Sequence, residues 1–194
     1  MLCFVSGHDF SRAAQAAMMR ALAPAMAKPA RNASSEAILS SERVFFATTK
    51  TSAARRILQS ERNATLLIEV LHSNVSAGKF QLHDFVVMPD HLHLLMALPG
   101  DMTIEKAMQL VKGGFSYRLK KEHGFQGEVW QRGFSEARVN DRQSWLQYRE
   151  YIAQNPVKAG LVDSSQQYPY SYTYLASRKA QGLKPSSVRS LRHG

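Results

Sequence analysis

Two histidines separated by one leucine, His91-Leu92-His93, interrupt an otherwise apolar run, FVVMPDHLHLLMALPG, at residues 85–100. In an extended strand successive side chains alternate faces, so both imidazoles point one way, about 7 Å apart along the chain, while Leu92 and Leu94 point the other. Two neutral imidazoles on a rigid strand can converge on one divalent ion. Two ligands do not close a metal site. Further along, YREYIAQNPVK (148–158) sets Tyr151 and Asn155 four residues apart, one above the other on a helical face. A hydroxyl nucleophile and an amide oxygen presented together complement a histidine pair. Asn155 could complete the shell of an ion while Tyr151 attacks a phosphate that the ion polarises. Each residue also has a plainer reading: histidines hydrogen-bonded in a core, an interface aromatic, and an asparagine that ends a helix ahead of Pro156.

These residues need elements to hold them. RVFFATTK (43–50) is β-branched and aromatic and predicts a strand. Residues 52–79 carry Ile57, Leu58, Leu66, Leu67, Val70 and Leu71 at helical spacing. FQLHDFVVM (80–88) and HLHLLMALP (91–99) predict two strands joined by a turn at Pro89-Asp90. A second helix is expected over 103–124, with Thr103 as its N-cap and Lys120, Lys121 and His123 near its C-terminal end. Gly113-Gly114 inside it weakens the helix or admits a close backbone. VWQRGFSEARV (129–139) predicts a loop leading into a strand, and 141–155 a third helix stopped by Pro156, with Trp145 and Ile152 in its core face. The order strand, helix, strand, strand, helix, strand, helix predicts an α+β sandwich, an antiparallel sheet with helices on one face.

Composition narrows the partner. The 194 residues hold 25 Lys and Arg against 15 Asp and Glu, a net charge of +10, which favours a polyanion: nucleic acid first, an anionic membrane second. The single Cys3 excludes an internal disulfide framework and fits a reducing, cytoplasmic setting. Residues 1–42 are rich in Ala, Ser, Met and Arg and are expected to be a flexible extension or the product of a start codon assigned too early, ahead of an organellar targeting peptide. Residues 177–194 are expected to form a basic tail without regular structure. The expected domain therefore spans 43–176.

VVMPDHLHLL (86–95), taken with YIAQNPVKAGLV (151–162), resembles the single-tyrosine HUH transposases, in particular the REP-associated tyrosine transposases of bacteria. VWQRGF (129–134) and YPYSYTYL (168–175) resemble further segments of that branch. The resemblance covers roughly residues 43–176 and implies a ferredoxin-like HUH endonuclease fold that cleaves single-stranded DNA. By motif, His91 and His93 match the paired histidines, Tyr151 the nucleophile and Asn155 the third metal ligand. Asp90 stands where Asn or Glu is common, and Ala137 where a His often follows the acidic residue.

The implied chemistry is attack by Tyr151 on a phosphodiester, leaving a 5′-phosphotyrosine and a free 3′-hydroxyl. Mg²⁺ or Mn²⁺ is the implied cofactor; two imidazoles make Mn²⁺ at least as suitable as Mg²⁺. Lys112, Arg118, Lys120, Arg132, Arg138 and Lys158 are candidates for contact with phosphates, with Lys121 and Arg142 nearby. The implied partner is single-stranded or hairpin DNA at the bacterial nucleoid, bound by a monomer in preference to a homodimer. Two rival readings use the same residues: a hairpin-binding module that has lost its chemistry, and a metal-dependent hydrolase that would recruit further ligands such as His83 or Asp84.

Overall fold

Strand β1 (Arg43–Lys50) is buried on both sides along most of its length, as is β3 (His91–Leu98). Near-continuous apolar strands of this kind require cover on both faces, and the rest of the chain supplies it. The structure, a computed structural model, describes residues 43–181. After β1 come α1 (Glu61–Ser76), β2 (Gln81–Val87), β3, α2 (Ile104–His123), β4 (Ser135–Val139), α3 (Arg142–Lys158) and α4 (Tyr172–Ala180). The sheet order is β2-β3-β1-β4, with every pairing antiparallel. This is the ferredoxin-like arrangement expected from the sequence. No helix among the described residues is long and apolar enough to cross a membrane.

Alternation sorts the sheet into two faces. Ala47, Leu92, Leu94 and Met96 turn toward α1 and α2 and join Leu67, Leu71, Val111 and Phe115 in the main core. Gly114 marks where these helices meet: a Cβ there would lie 3.2 Å from Val70 Cγ1, the close approach that the paired glycines suggested. Phe46, Thr48 and His93 turn the other way, and α3 covers them through Tyr148, stacked on Phe46. Helices therefore lie on both faces, correcting the one-sided sandwich. The sequence shows which residues are apolar in β1 and β3, and it takes the three-dimensional layering to show that both sides need covering.

Three boundaries also differ. The long first helix does not begin at 52. Ala53 and Ala54 adopt positive φ values of 54° and 51°, and two short 3-10 turns, Ser52–Ala54 and Ile57–Gln59, precede α1. Helix α3 continues through Pro156 to Lys158 instead of stopping. Proline forfeits one backbone donor, but its ring is buried there, and the Ala159 and Leu161 N–H groups bond Asn155 O and Pro156 O. Helix α4 runs to Ala180, past the expected boundary at 176. Just before it, the Val87 N–H donates to Tyr170 O and Ser171 bridges Val86, so this segment lines the outer edge of β2. The expected N-terminal extension (1–42) and the rest of the basic tail (182–194) lie outside the described residues.

Candidate active site

The β2–β3 turn is held from outside itself. The Thr51 N–H and hydroxyl both donate to Asp90 O, at 2.9 and 3.0 Å, and the Leu58 N–H donates to Pro89 O at 2.9 Å. This fixes where β3 begins, and so where its first residue, His91, sits. Alternation along β3 then puts His91 and His93 on one face, with ring centroids 4.8 Å apart.

Each imidazole is oriented through its Nδ1. His91 Nδ1 lies 2.6 Å from Asp90 Oδ1. An ionised carboxylate only accepts, so Nδ1 carries the hydrogen, and Nε2 is the atom free to ligate in the neutral ring. The same hydrogen bond holds the Asp90 carboxyl below the usual carboxylate range. His93 Nδ1 lies 2.7 Å from Thr48 Oγ1, across the β1–β3 ladder. Its Nε2 is buried and has no hydrogen-bond partner among the described residues. Burial, aided by the charge of Lys50, pushes the His93 imidazole well below its ordinary value. His93 is therefore neutral at pH 7, the form that ligates metal. A buried, unpartnered ring nitrogen needs explaining, and one beside a second imidazole fits a divalent cation.

Helix α3 brings the tyrosines. Asp141 caps it, accepting from the Ser144 N–H at 2.7 Å. Tyr148 and Ile152 are buried. Phe46 lies 4.4 Å from Tyr148 and 5.5 Å from His93, nearly parallel to both. Tyr151, half-buried, stands edge-on to this stack, 5.2 Å from His93 and 5.8 Å from Phe46 between ring centroids. The expected nucleophile and second histidine are thus in contact. Tyr148, the other tyrosine on the stripe, is packed away, and burial pushes its phenol up. Asn155 is half-buried one turn beyond Tyr151. Trp145, expected in the core, is only half-buried; Arg149 stacks on it at 4.8 Å.

Asp84 and His83 do not extend the histidine pair. Asp84 accepts from the Phe85 N–H and from Arg149 Nε, at 2.8 and 3.1 Å, tying β2 to α3. Among the described residues no three His, Cys, Asp or Glu side chains form a metal cluster.

The candidate phosphate contacts divide by partner. Lys112 Nζ donates to Gln131 O and Gly133 O at 2.9 and 2.6 Å, clamping the loop before β4. Arg118 pairs with Glu69 and Glu122. Lys120, Arg132 and Arg138 are exposed. Arg138 lies opposite Phe45 in the ladder, a residue packed on the α1–α2 side, away from the histidines. Lys158 alone of the six stands at the tyrosine, its Nζ 5.8 Å from the Tyr151 ring centroid. Ala137 sits opposite Phe46, on the histidine face. Thr48, Phe46 and Lys50 are the site residues that the sequence did not single out. Each owes its place to strand register: Thr48 faces His93 and Lys50 faces His91.

Comparison with known proteins agrees with this fold. A family model described as IS200-like transposase matches residues 45–155, more than half of the chain. A Haemophilus influenzae protein, provisionally named a REP-associated tyrosine transposase, is 30% identical over 132 residues, covering 59% of this chain and 75% of the relative. The REP-associated tyrosine transposase of Escherichia coli K12 is 28% identical over 107 residues, 55% of this chain and 61% of the relative. A solved structure of a REP-associated tyrosine transposase bound to a REP hairpin shares the fold, with a TM-score of 0.56 at 22% identity, over 85% of this chain and 95% of that one. The chain belongs to the IS200-like transposase family, in its REP-associated tyrosine branch.

Proposed function

We propose that this transposase nicks and rejoins single-stranded DNA at hairpins, using Tyr151 as nucleophile. The observation that carries the reading is the contact of Tyr151 with His93, whose buried Nε2 is unpartnered beside the ring of His91. A divalent cation, Mg²⁺ or Mn²⁺, held by His91, His93 and Asn155, would supply positive charge to the scissile phosphate. The chain's own residues do the rest. Asp90 and Thr48 hold the two rings through Nδ1, so that each ring has its Nε2 left as the atom to ligate a cation. Phe46 and Tyr148 form a wall against which the Tyr151 ring is held edge-on.

Tyr151 Oη loses its proton to solvent and bonds to phosphorus. The bond from phosphorus to the 3′ oxygen breaks, and that oxygen leaves as a hydroxyl after taking a proton. The product is a 5′-phosphotyrosine, which retains the phosphodiester energy. Another 3′-hydroxyl can reverse the step without ATP. The hairpin partner follows from the relative solved with a REP hairpin and from the net charge of +10. The protein acts as a monomer on this reading, in the bacterial cytoplasm.

The test is a denaturing gel of the protein incubated with labelled hairpin DNA from the flanks of its gene and either metal. A metal-dependent covalent band that Tyr151→Phe abolishes is the expected result. Binding with no band, across both metals and several hairpins, would instead make the protein a hairpin-binding module without chemistry. Released product with no protein attached would point to a hydrolase.

A further inference from the structure

Helix α3 outruns its proline, and that puts one more side chain at the site. Tyr151, Asn155 and Lys158 fall at spacings of four and three, on one helical stripe. Had the helix stopped before Pro156, Lys158 would have left that stripe. Instead α3 ends at Lys158, and its ammonium lies over the Tyr151 ring at 5.8 Å. Lys158 is exposed, and among the described residues no carboxylate is paired with it. Lys112 and Arg118, by contrast, are engaged by carbonyls and carboxylates of the protein itself. Of the candidate cations, Lys158 is the one left at the chemistry with its charge available.

We propose that Lys158 is a catalytic residue, whose ammonium contacts the phosphate under attack by Tyr151 and stabilises the phenolate that departs in the joining step. A lysine suits this because its four-carbon stem lets a compact charge move between the ring face and the phenol oxygen. In nicking, Tyr151 Oη gains a bond to phosphorus, and the ammonium offsets the charge gathering on the phosphoryl oxygens. In joining, the incoming 3′ oxygen bonds to phosphorus and gives up its proton to solvent. The bond from phosphorus to Tyr151 Oη breaks, and its electron pair stays on the phenol oxygen. Lys158 holds that charge until the oxygen takes a proton from solvent. Charge placed where charge develops accelerates a step more than it tightens ground-state binding.

The proposal rests on Tyr151 as nucleophile, and the experiment separates the two. Wild type, Tyr151→Phe, Lys158→Ala and Lys158→Arg are compared for covalent-adduct rate, for rejoining of a purified adduct by a 3′-hydroxyl oligonucleotide, and for hairpin affinity. Lys158→Ala is expected to slow both covalent steps by about 10²-fold while hairpin affinity changes by about twofold or less. Lys158→Arg should restore most of the rate. Unchanged rates in Lys158→Ala, with Tyr151→Phe inactive, would overturn the role of Lys158 and leave the nucleophile intact. A rate loss matched by an equal loss of affinity would overturn it too, making Lys158 a binding contact only. Adduct formation by Tyr151→Phe would instead remove the nucleophile assignment and the proposal with it.

Discussion

The two faces of the sheet are built from different chemistry. Toward α1 and α2 the sheet presents Ala47, Leu92, Leu94 and Met96, closed by Leu67, Leu71, Val111 and Phe115. Toward α3 it presents Phe46, Thr48, Asp84, His91 and His93, met by Tyr148, Arg149 and Tyr151. The first face needs only shape and apolar area, so its residues are interchangeable within volume limits. The second carries an unpartnered ring nitrogen, a buried carboxylate and an exposed lysine at a tyrosine. The first face packs apolar side chains together, while the second sets polar groups among buried apolar residues such as Leu95 and Ile152. The single layer of β1 and β3 joins them: Leu92 and Leu94 anchor in the core the strand whose opposite side aims His91 and His93.

That contrast breaks most visibly by substituting one residue on each side. Tyr151→Phe should eliminate the covalent band and leave stability within about 0.5 kcal/mol of wild type. Phe115→Ala, at a fully buried position, should cost about 3–5 kcal/mol and lower activity only as far as it unfolds the protein. Denaturant melts and adduct assays on the pair read both. If Phe115→Ala lost adduct while still fully folded, the two faces would not be separable.

A finer test stays on the site face. Thr48→Val keeps the volume and removes the hydroxyl bonded to His93 Nδ1. With that partner gone the ring loses the bond that fixes its orientation, and the metal concentration needed for half-maximal adduct should rise roughly 10- to 100-fold. A Mn²⁺ titration measures it. An unchanged midpoint would mean that Phe46 and burial alone orient the ring.

The sequence carried the order of the elements, because strands β1 to β3 are short apolar runs bounded by turn residues and α2 is capped by Thr103, which accepts from the Lys106 N–H. It also carried the shared face of His91 and His93 and the place of Tyr151 on a helical stripe, because both are local patterns. Thr48 and Phe46 were not legible. Their roles arise from β1–β3 register, a pairing between residues far apart in the chain. Residues 52–60 read as helix because apolar spacing is blind to φ: Ala53 and Ala54 have positive φ with good helix-forming side chains. Pro156 misled for the opposite reason. Its cost to a helix is local, whereas the burial that offsets it comes from tertiary packing. The same error left Lys158 a general candidate for phosphate contact rather than a neighbour of Tyr151, since a side chain can be placed at the site only if the helix carrying it is known to continue.

The smallest expected effect tests whether the polar contacts of the site face carry a cost that the apolar face does not. Asp84 accepts from the Phe85 N–H and from Arg149, yet burial outweighs both and raises its pKa. The folded protein thus holds this proton more tightly than the unfolded chain does. Its contribution to stability is fully present below the ordinary carboxylate value of about 3.9 and is lost as pH rises through the raised value. Asp84→Asn removes the titration while leaving an oxygen to accept from Arg149. The melting temperature of wild type relative to Asp84→Asn should therefore fall as pH rises from about 4 toward neutrality, then level off once Asp84 is ionised in the fold. A rise over the same interval would mean that the ion pair with Arg149 outweighs burial. In that case β2 would be latched to α3 by charge attraction, and the site face would gain stability from its polar residues rather than bear them as the cost of its chemistry.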